Sequence, residues 1–156
     1  MPEIRFEPMT TEEFDAYRER SIPSYAAEHV RAGTFPKEGS VERARDEFQR
    51  ILPQGLTTPG HTVQWIVDAT SGARVGHLWL FLAPNEPRLF VYDIEIRPEH
   101  RRRGYAEAAL AWAETYGRSH GATRLGLHVF GHNTGAIALY EKLGFVTTNR
   151  AMAKPL

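Results

Sequence analysis

The chain has 156 residues, enough for one domain with a real core. Lys and Arg total 19, Asp and Glu total 19, and the zero formal net charge argues against a broadly basic nucleic-acid surface or a polybasic membrane-surface protein. The lack of cysteine excludes a disulfide scaffold, a zinc finger, a thiol nucleophile and a CxxC redox pair; with no signal peptide or ~18-residue apolar run visible, a cytoplasmic protein is expected. Ile4 to Pro8 alternates apolar and charged residues and reads as a strand. Thr10 with Glu13 looks like a capping box opening a helix, which Pro23 breaks, kinks or restarts and Gly33 stops. Ser40 can cap a second helix to about Leu52, ended by Pro53 and Gly55. Then the period changes: His61 to Asp68, Arg74 to Leu82 and Arg88 to Arg97 read as strands of an antiparallel meander. A helix from about Gly104 to Gly117 carries Ala106, Ala109, Leu110, Ala113 and Tyr116 on one face. Leu125 to Phe130 is a strand, Asn133 caps a helix to about Leu143 that Gly144 stops, and Phe145 to Met152 is a last strand. The order β-α-α-β-β-β-α-β-α-β predicts an α/β (α+β) fold over residues 1–156 as a single domain. Its central sheet is mixed and mostly antiparallel, flanked by helices. Residues 88–130 should form a right-handed parallel crossover.

Arg101-Arg102-Arg103-Gly104-Tyr105-Ala106 follows a strand and opens a helix. A helix N-terminus presents amides without intrahelical partners and the positive end of a dipole, which together suit a phosphate or pyrophosphate. Gly104 lets the backbone approach the anion, Ala106 is small, and the three arginines add charge. The pattern is neither a P-loop nor a GxGxxG fingerprint; a solvated basic loop with a helix cap is the competing reading.

Arg101-x-x-Gly104-x-Ala106, after Tyr92 to Pro98, resembles the acetyl-CoA pyrophosphate motif of the GNAT (Gcn5-related) N-acetyltransferase superfamily. Asn133-x-x-Ala136-x-x-x-Tyr140-x-x-x-Gly144-Phe145 resembles that superfamily's next motif, one strand further on. Together the blocks span residues 91–146. Leu127 to Asn133, with Tyr25 to Gly33, also resembles an uncharacterised bacterial subgroup of GNAT proteins. The resemblance implies the acyl-CoA N-acyltransferase fold and a transferase that moves the acetyl group of acetyl-CoA to a primary amine. It implies that the backbone of Ile94, Glu95 and Ile96 pairs with the pantetheine arm, one amide polarising the thioester carbonyl. Arg102, Arg103, Gly104, Tyr105, Ala106 and Glu107 would cradle the pyrophosphate through their amides, with Arg101 beside them. Asn133 would hydrogen-bond the cofactor, and Tyr140 would be the general acid near the sulfur. A phenol, with a reference pKa of ~10, suits donating a proton to a thiolate.

Acetyl transfer also needs a base to free the amine, an oxyanion donor and fixed attack geometry. One branch of the superfamily uses a Glu on the strand before the Asn motif, where this chain has His128. Glu95 and His128 are the leading base candidates. Asp93, on the same face of its strand as Glu95, and Glu28 are further candidates that could instead bind the substrate amine; a water relay is the remaining route.

Gly117-x-Ser119-x-Gly121 matches GxSxG, but a nucleophile elbow needs strand, turn and helix, and here a helix precedes the turn. His128 and His132 lie on a strand and its loop with no completing ligand, so no metal is expected. Trp65, Trp79 and Phe81 read as core, with an aromatic substrate wall as the minority reading. Partners are acetyl-CoA and an amine, a small molecule or a peptide N-terminus or lysine, with a homodimer compatible and no nucleic acid or membrane. Residues 1–50 carry 8 basic and 11 acidic side chains, a weak hint of a cationic amine. Direct attack in a ternary complex is favoured, since no cysteine can carry an acetyl group. A non-catalytic acyl-CoA-binding or regulatory domain of the same fold is the alternative, and transfer of a longer acyl chain a third reading.

Overall fold

A computed structural model describes residues 1–156. The strands are β1 (Ile4–Pro8), β2 (His61–Asp68), β3 (Arg74–Leu82), β4 (Arg88–Ile96) and β5 (Arg124–Leu127). The helices are α1 (Thr11–Arg31), α2 (Ser40–Ile51), α3 (Tyr105–Ser119) and α4 (Thr134–Lys142). The sheet runs β1-β2-β3-β4-β5; every pairing is antiparallel except the parallel one between β4 and β5. This is the mixed, mostly antiparallel sheet that the sequence predicts. The contacts gather into two units: residues 1–17 with 51–128, and residues 18–50 with 129–156.

In the first unit, register assigns the faces of the sheet. Leu78, Leu80 and Leu82 pair with Ile94, Val91 and Leu89, so these six share one face. Helix α3 lies against β4, burying Ala109, Leu110 and Ala113 with Leu78, Leu80, Leu89 and Val91. Phe6, opposite Ile66, carries β1 to the same layer, its ring centroid 4.2 Å from that of Trp112 on α3. The other face carries Val63, Trp65, His77 and Trp79, all buried. The capping box forms as read: the Glu13 amide donates to Thr10 Oγ1, and the Thr10 amide to Glu13 Oε1, each at 3.1 Å. Glu13 also accepts from Trp65 Nε1 at 3.0 Å and from Arg74, tying the first turn of α1 to the sheet.

In the second unit, α1 runs through Pro23 without a break. A mid-helix proline costs about 3 kcal/mol. Ile22 and Ala26, fully buried on either side of it, offset that cost through packing. The helix ends at Arg31, with Gly33 just beyond, as the sequence predicts. At the end of α4, Gly144 takes φ 92°, which lets the Phe145 amide reach the Tyr140 carbonyl at 2.9 Å and the Gly144 amide that of Glu141 at 3.0 Å. These two bonds are a Schellman cap.

Three expectations change. Pro23 neither breaks nor restarts its helix. The strand expected over Leu125 to Phe130 stops at Leu127, leaving His128 one residue beyond it. The last strand expected at Phe145 to Met152 is absent: residues 146–156 take no regular structure, with Val146 80% and Met152 88% exposed. An apolar-rich run becomes a strand only when a neighbouring strand completes its ladder, and alternation in sequence cannot supply that neighbour.

Gly76 stands opposite Ile96, and a Cβ there would meet the Glu95 carbonyl oxygen at 2.1 Å and Ile96 Cδ1 at 3.0 Å. Gly76→Ala therefore must push β3 and β4 apart where Glu95 and Ile96 sit. A loss of about 1–3 kcal/mol, read as a lower denaturant midpoint, is expected; an unchanged midpoint refutes this close approach.

Candidate active site

The loop before α3 delivers a run of unbonded amides. Arg102 has φ 62°, in the left-handed region that non-glycine residues seldom enter, and Gly104 follows at φ 85° as the N-cap. The first intrahelical bond is Ala108 N–H to the Gly104 carbonyl at 3.0 Å, and the amides of residues 102–106 donate to no backbone carbonyl. Strain of this kind costs of order 1–3 kcal/mol and points to a functional constraint. Arg102 and Arg103 are exposed beside this run. Arg101 turns the other way: its Nε donates to the Ile96 carbonyl at 2.9 Å and its guanidinium lies 3.7 Å from Glu95. Ala106 and Glu107 stand half-buried in the first turn.

Strand β4 reaches this loop with one edge unpartnered. It pairs with β5 only from Arg88 to Val91, so residues 92–96 have no strand on that side. Ile96 is buried and Ile94 half-buried, both on the α3 face. Asp93 and Glu95 pair with Trp79 and His77 on the other face, so the two carboxylates share a face as the sequence predicts. Asp93 Oδ2 accepts from the Tyr17 hydroxyl at 2.6 Å and lies 2.7 Å from His77 Nε2, which is 3.9 Å from Glu95. Burial pushes the Asp93 carboxyl up, but hydrogen bonds from His77, Tyr17 and the Ile94 amide outweigh it and leave it below its usual range.

His77 and Tyr17 escaped the sequence reading. The available signal was that His77 is the only polar side chain between Val75 and Leu82.

In the second unit, Asn133 caps α4 as predicted, its Oδ1 accepting from the Ala136 amide at 3.3 Å. Tyr140 is half-buried, its ring 5.6 Å from that of Phe145. Glu28 is held in hydrogen-bond contact with His132 Nε2, and the His132 ring stacks on Phe130 at 5.5 Å. His128, in the first unit, is exposed. Ser119 ends α3 with its hydroxyl donating to the Tyr116 carbonyl at 2.8 Å, the helix-terminal turn expected of it. No group of three His, Cys, Asp or Glu is placed to hold a metal ion, and no helix is long and apolar enough to cross a membrane.

A strand parted from its neighbour thus leads into a helix whose first amides are unbonded. The Acetyltransferase (GNAT) family model matches residues 24–145, and the chain belongs to that family of acetyltransferases. It is 39% identical to the uncharacterised N-acetyltransferase YycN of Bacillus subtilis (strain 168), over 98% of this chain and 99% of that one. It is 35% identical to YdgE of the same organism, another uncharacterised N-acetyltransferase, over 96% of both. The crystal structure of YycN superposes with a TM-score of 0.92 at 38% identity, covering 99% of each chain. The aminoglycoside N-acetyltransferase AAC(6')-Iy, solved with CoA, shares the fold at a TM-score of 0.62 and 15% identity, over 100% of this chain and 96% of that one.

Tyr105 anchors the start of α3 by its side chain, the hydroxyl donating to Asp68 Oδ2 at 2.7 Å. That bond first, then the Ser71 amide and hydroxyl, hold the Asp68 carboxyl at about 2, against an ordinary 3.8. A depressed carboxyl stabilises the fold above its ordinary value, and the contribution fades as pH falls toward about 2. Tyr105→Phe should raise the Asp68 value, read by NMR titration, and flatten the loss of stability across that acid window. An unmoved titration refutes the anchor.

Proposed function

We propose that the chain transfers the acetyl group of acetyl-CoA to a primary amine by direct attack in a ternary complex. The observation that carries this is one open edge of β4 over residues 92–96, on the side away from β3, followed by the unbonded amides of residues 102–106. It fits the acetyl donor by chemistry: an open strand edge suits the amides of a pantetheine arm, and uncapped helix amides suit a pyrophosphate. Acetyl-CoA supplies the thioester. The amine nitrogen attacks the thioester carbonyl carbon, the C–N bond forms and the C–S bond breaks. Glu95 takes the amine proton, and Tyr140 gives its phenolic proton to the leaving thiolate. Glu95 is favoured over His128 as base because it stands 3.9 Å from His77, on the face of β4 that also carries Asp93, whereas His128 lies exposed beyond its strand. Asn133 serves the cofactor with the amide hydrogens its cap leaves available. Asp93 and Glu28 attract the substrate ammonium. Residues 1–156 act as one domain, in the cytoplasm, where acetyl-CoA is at hand. Relatives named as N-acetyltransferases favour turnover over a purely binding role.

Acetyl-CoA consumption against polyamines, amino acids, aminoglycosides and peptide N-termini tests the activity. With the best amine, Tyr140→Phe should lower kcat by about 10²–10³ with little change in the acetyl-CoA KM. Glu95→Gln should do the same, and His128→Gln should not. A Tyr140→Phe enzyme as fast as the parent removes the acid assignment, and a slow His128→Gln with a fast Glu95→Gln moves the base to His128.

We also propose a homodimer. β5 is one edge of the sheet, and Phe145 to Met152 carries strand-like sequence with no ladder of its own. A free strand edge is a template for a second chain. Light scattering should give twice the 17.7 kDa chain mass, falling to a single chain when residues 146–156 are removed. A single-chain mass for the intact protein refutes the dimer.

A further inference from the structure

The pairing of β3 with β4 slips between Trp79 and Leu80: Trp79 faces Asp93, but Leu80 faces Val91. Tyr92 is the extra residue of a β-bulge. A regular strand would send Tyr92 and Asp93 to opposite faces; the bulge brings both to the face of Trp79. The Tyr92 ring lies nearly parallel to Trp79, with centroids 4.7 Å apart and planes at 19°. Phe90 meets it edge-on at 4.9 Å, and His61, 5.5 Å away, is itself stacked on Phe81 at 4.4 Å. Trp79 Nε1 donates to His61 Nδ1 at 2.9 Å, so that nitrogen is an acceptor and the layer is braced from beneath. Burial lowers the His61 pKa, which keeps the wall uncharged near neutral pH. Trp79 is only 3% exposed, while Tyr92, at 38%, is the one Phe, Tyr or Trp of the chain that is exposed.

A bulge that spends an aromatic side chain on solvent beside two carboxylates has a use in recognition. The ring offers a flat apolar surface. Asp93, held ionised by Tyr17 and His77, and Glu95 offer negative charge on the same face. An occupant complementary to both is flat and apolar at one end and cationic at the other. We propose that this wall, with Tyr92 outermost, receives the acetyl acceptor, and that the acceptor is a primary amine carried on a planar apolar body. Its ring lies on Tyr92, and its ammonium points to Asp93 and Glu95. This rests on the amine-acetylation reading above and adds the substrate class to it.

The test is steady-state kinetics of the intact protein at saturating acetyl-CoA with 2-phenylethylamine, n-propylamine and spermidine. The phenyl compound should exceed n-propylamine in kcat/KM by about tenfold or more, the size of one good ring contact. Tyr92→Ala should raise the KM for phenylethylamine about tenfold and close most of that gap, and Tyr92→Phe should restore it. Thermal melts of both variants check that they fold. Equal kcat/KM for phenylethylamine and n-propylamine, or a preference that survives Tyr92→Ala, overturns the wall while leaving amine acetylation standing. A preference for spermidine over phenylethylamine overturns it too. Failure of all three amines, together with the wider panel above, overturns the acetyltransferase reading itself.

Discussion

Everything site-like in the first unit depends on β4 parting from β5 after Val91. Up to that point β4 is an interior strand with neighbours on both edges. Beyond it, the strand keeps β3 and loses β5. Backbone groups without partners are costly when withdrawn from water, so proteins seldom leave them in series. Here the series continues past the strand: the amides of residues 102–106 are also unclaimed by backbone carbonyls. Arg101 joins the two stretches through its bond to the Ile96 carbonyl. Within about fifteen residues the chain thus presents one open strand edge and one run of free helix-start amides. Main-chain recognition of this sort suits a ligand with its own amides and phosphates better than one without.

The side chains around this segment answer a different demand. Asp93 is fixed by Tyr17 and His77, both nearly buried. Such a network is weak evidence for stability, because desolvation consumes most of the attraction, but removing one member leaves a charge stranded. Its better-supported consequence is a carboxylate that stays ionised and in place. Zero net charge over the chain therefore conceals a local arrangement: acid on the face of β4 away from α3, arginines in the loop that follows it.

Local chemistry was legible in the sequence, and pairing was not. Thr10 with Glu13, Asn133 with Ala136, Gly144 with Glu141 and Phe145 with Tyr140 are bonds within five residues, and each formed where the residue types require it. The same holds for the antiparallel meander, whose turns lie between consecutive strands. What escaped needs a distant partner. His77 meets Asp93 16 residues away, Tyr17 meets it across 76, and Glu28 meets His132 across 104. The bulge at Tyr92 is a property of two strands together, and no alternation within one strand announces it. The missing last strand is the same lesson reversed: Phe145 to Met152 has the composition of a strand and no ladder.

The pattern Tyr140-x-x-x-Gly144-Phe145 shows how a family motif can carry two meanings at once. Gly144 turns the chain, the Phe145 amide caps the Tyr140 carbonyl, and the Phe145 ring comes back against the Tyr140 ring. This is a Schellman cap with its usual apolar contact, and it would form as well with phenylalanine at position 140. The cap accounts for the glycine, for both rings and for their spacing. The bonds of the cap itself run between backbone amides and carbonyls. Helix α4 holds the ring by its capped last turn, which leaves it few orientations. Under the proposed mechanism, the cap therefore sets the geometry in which the Tyr140 hydroxyl would act.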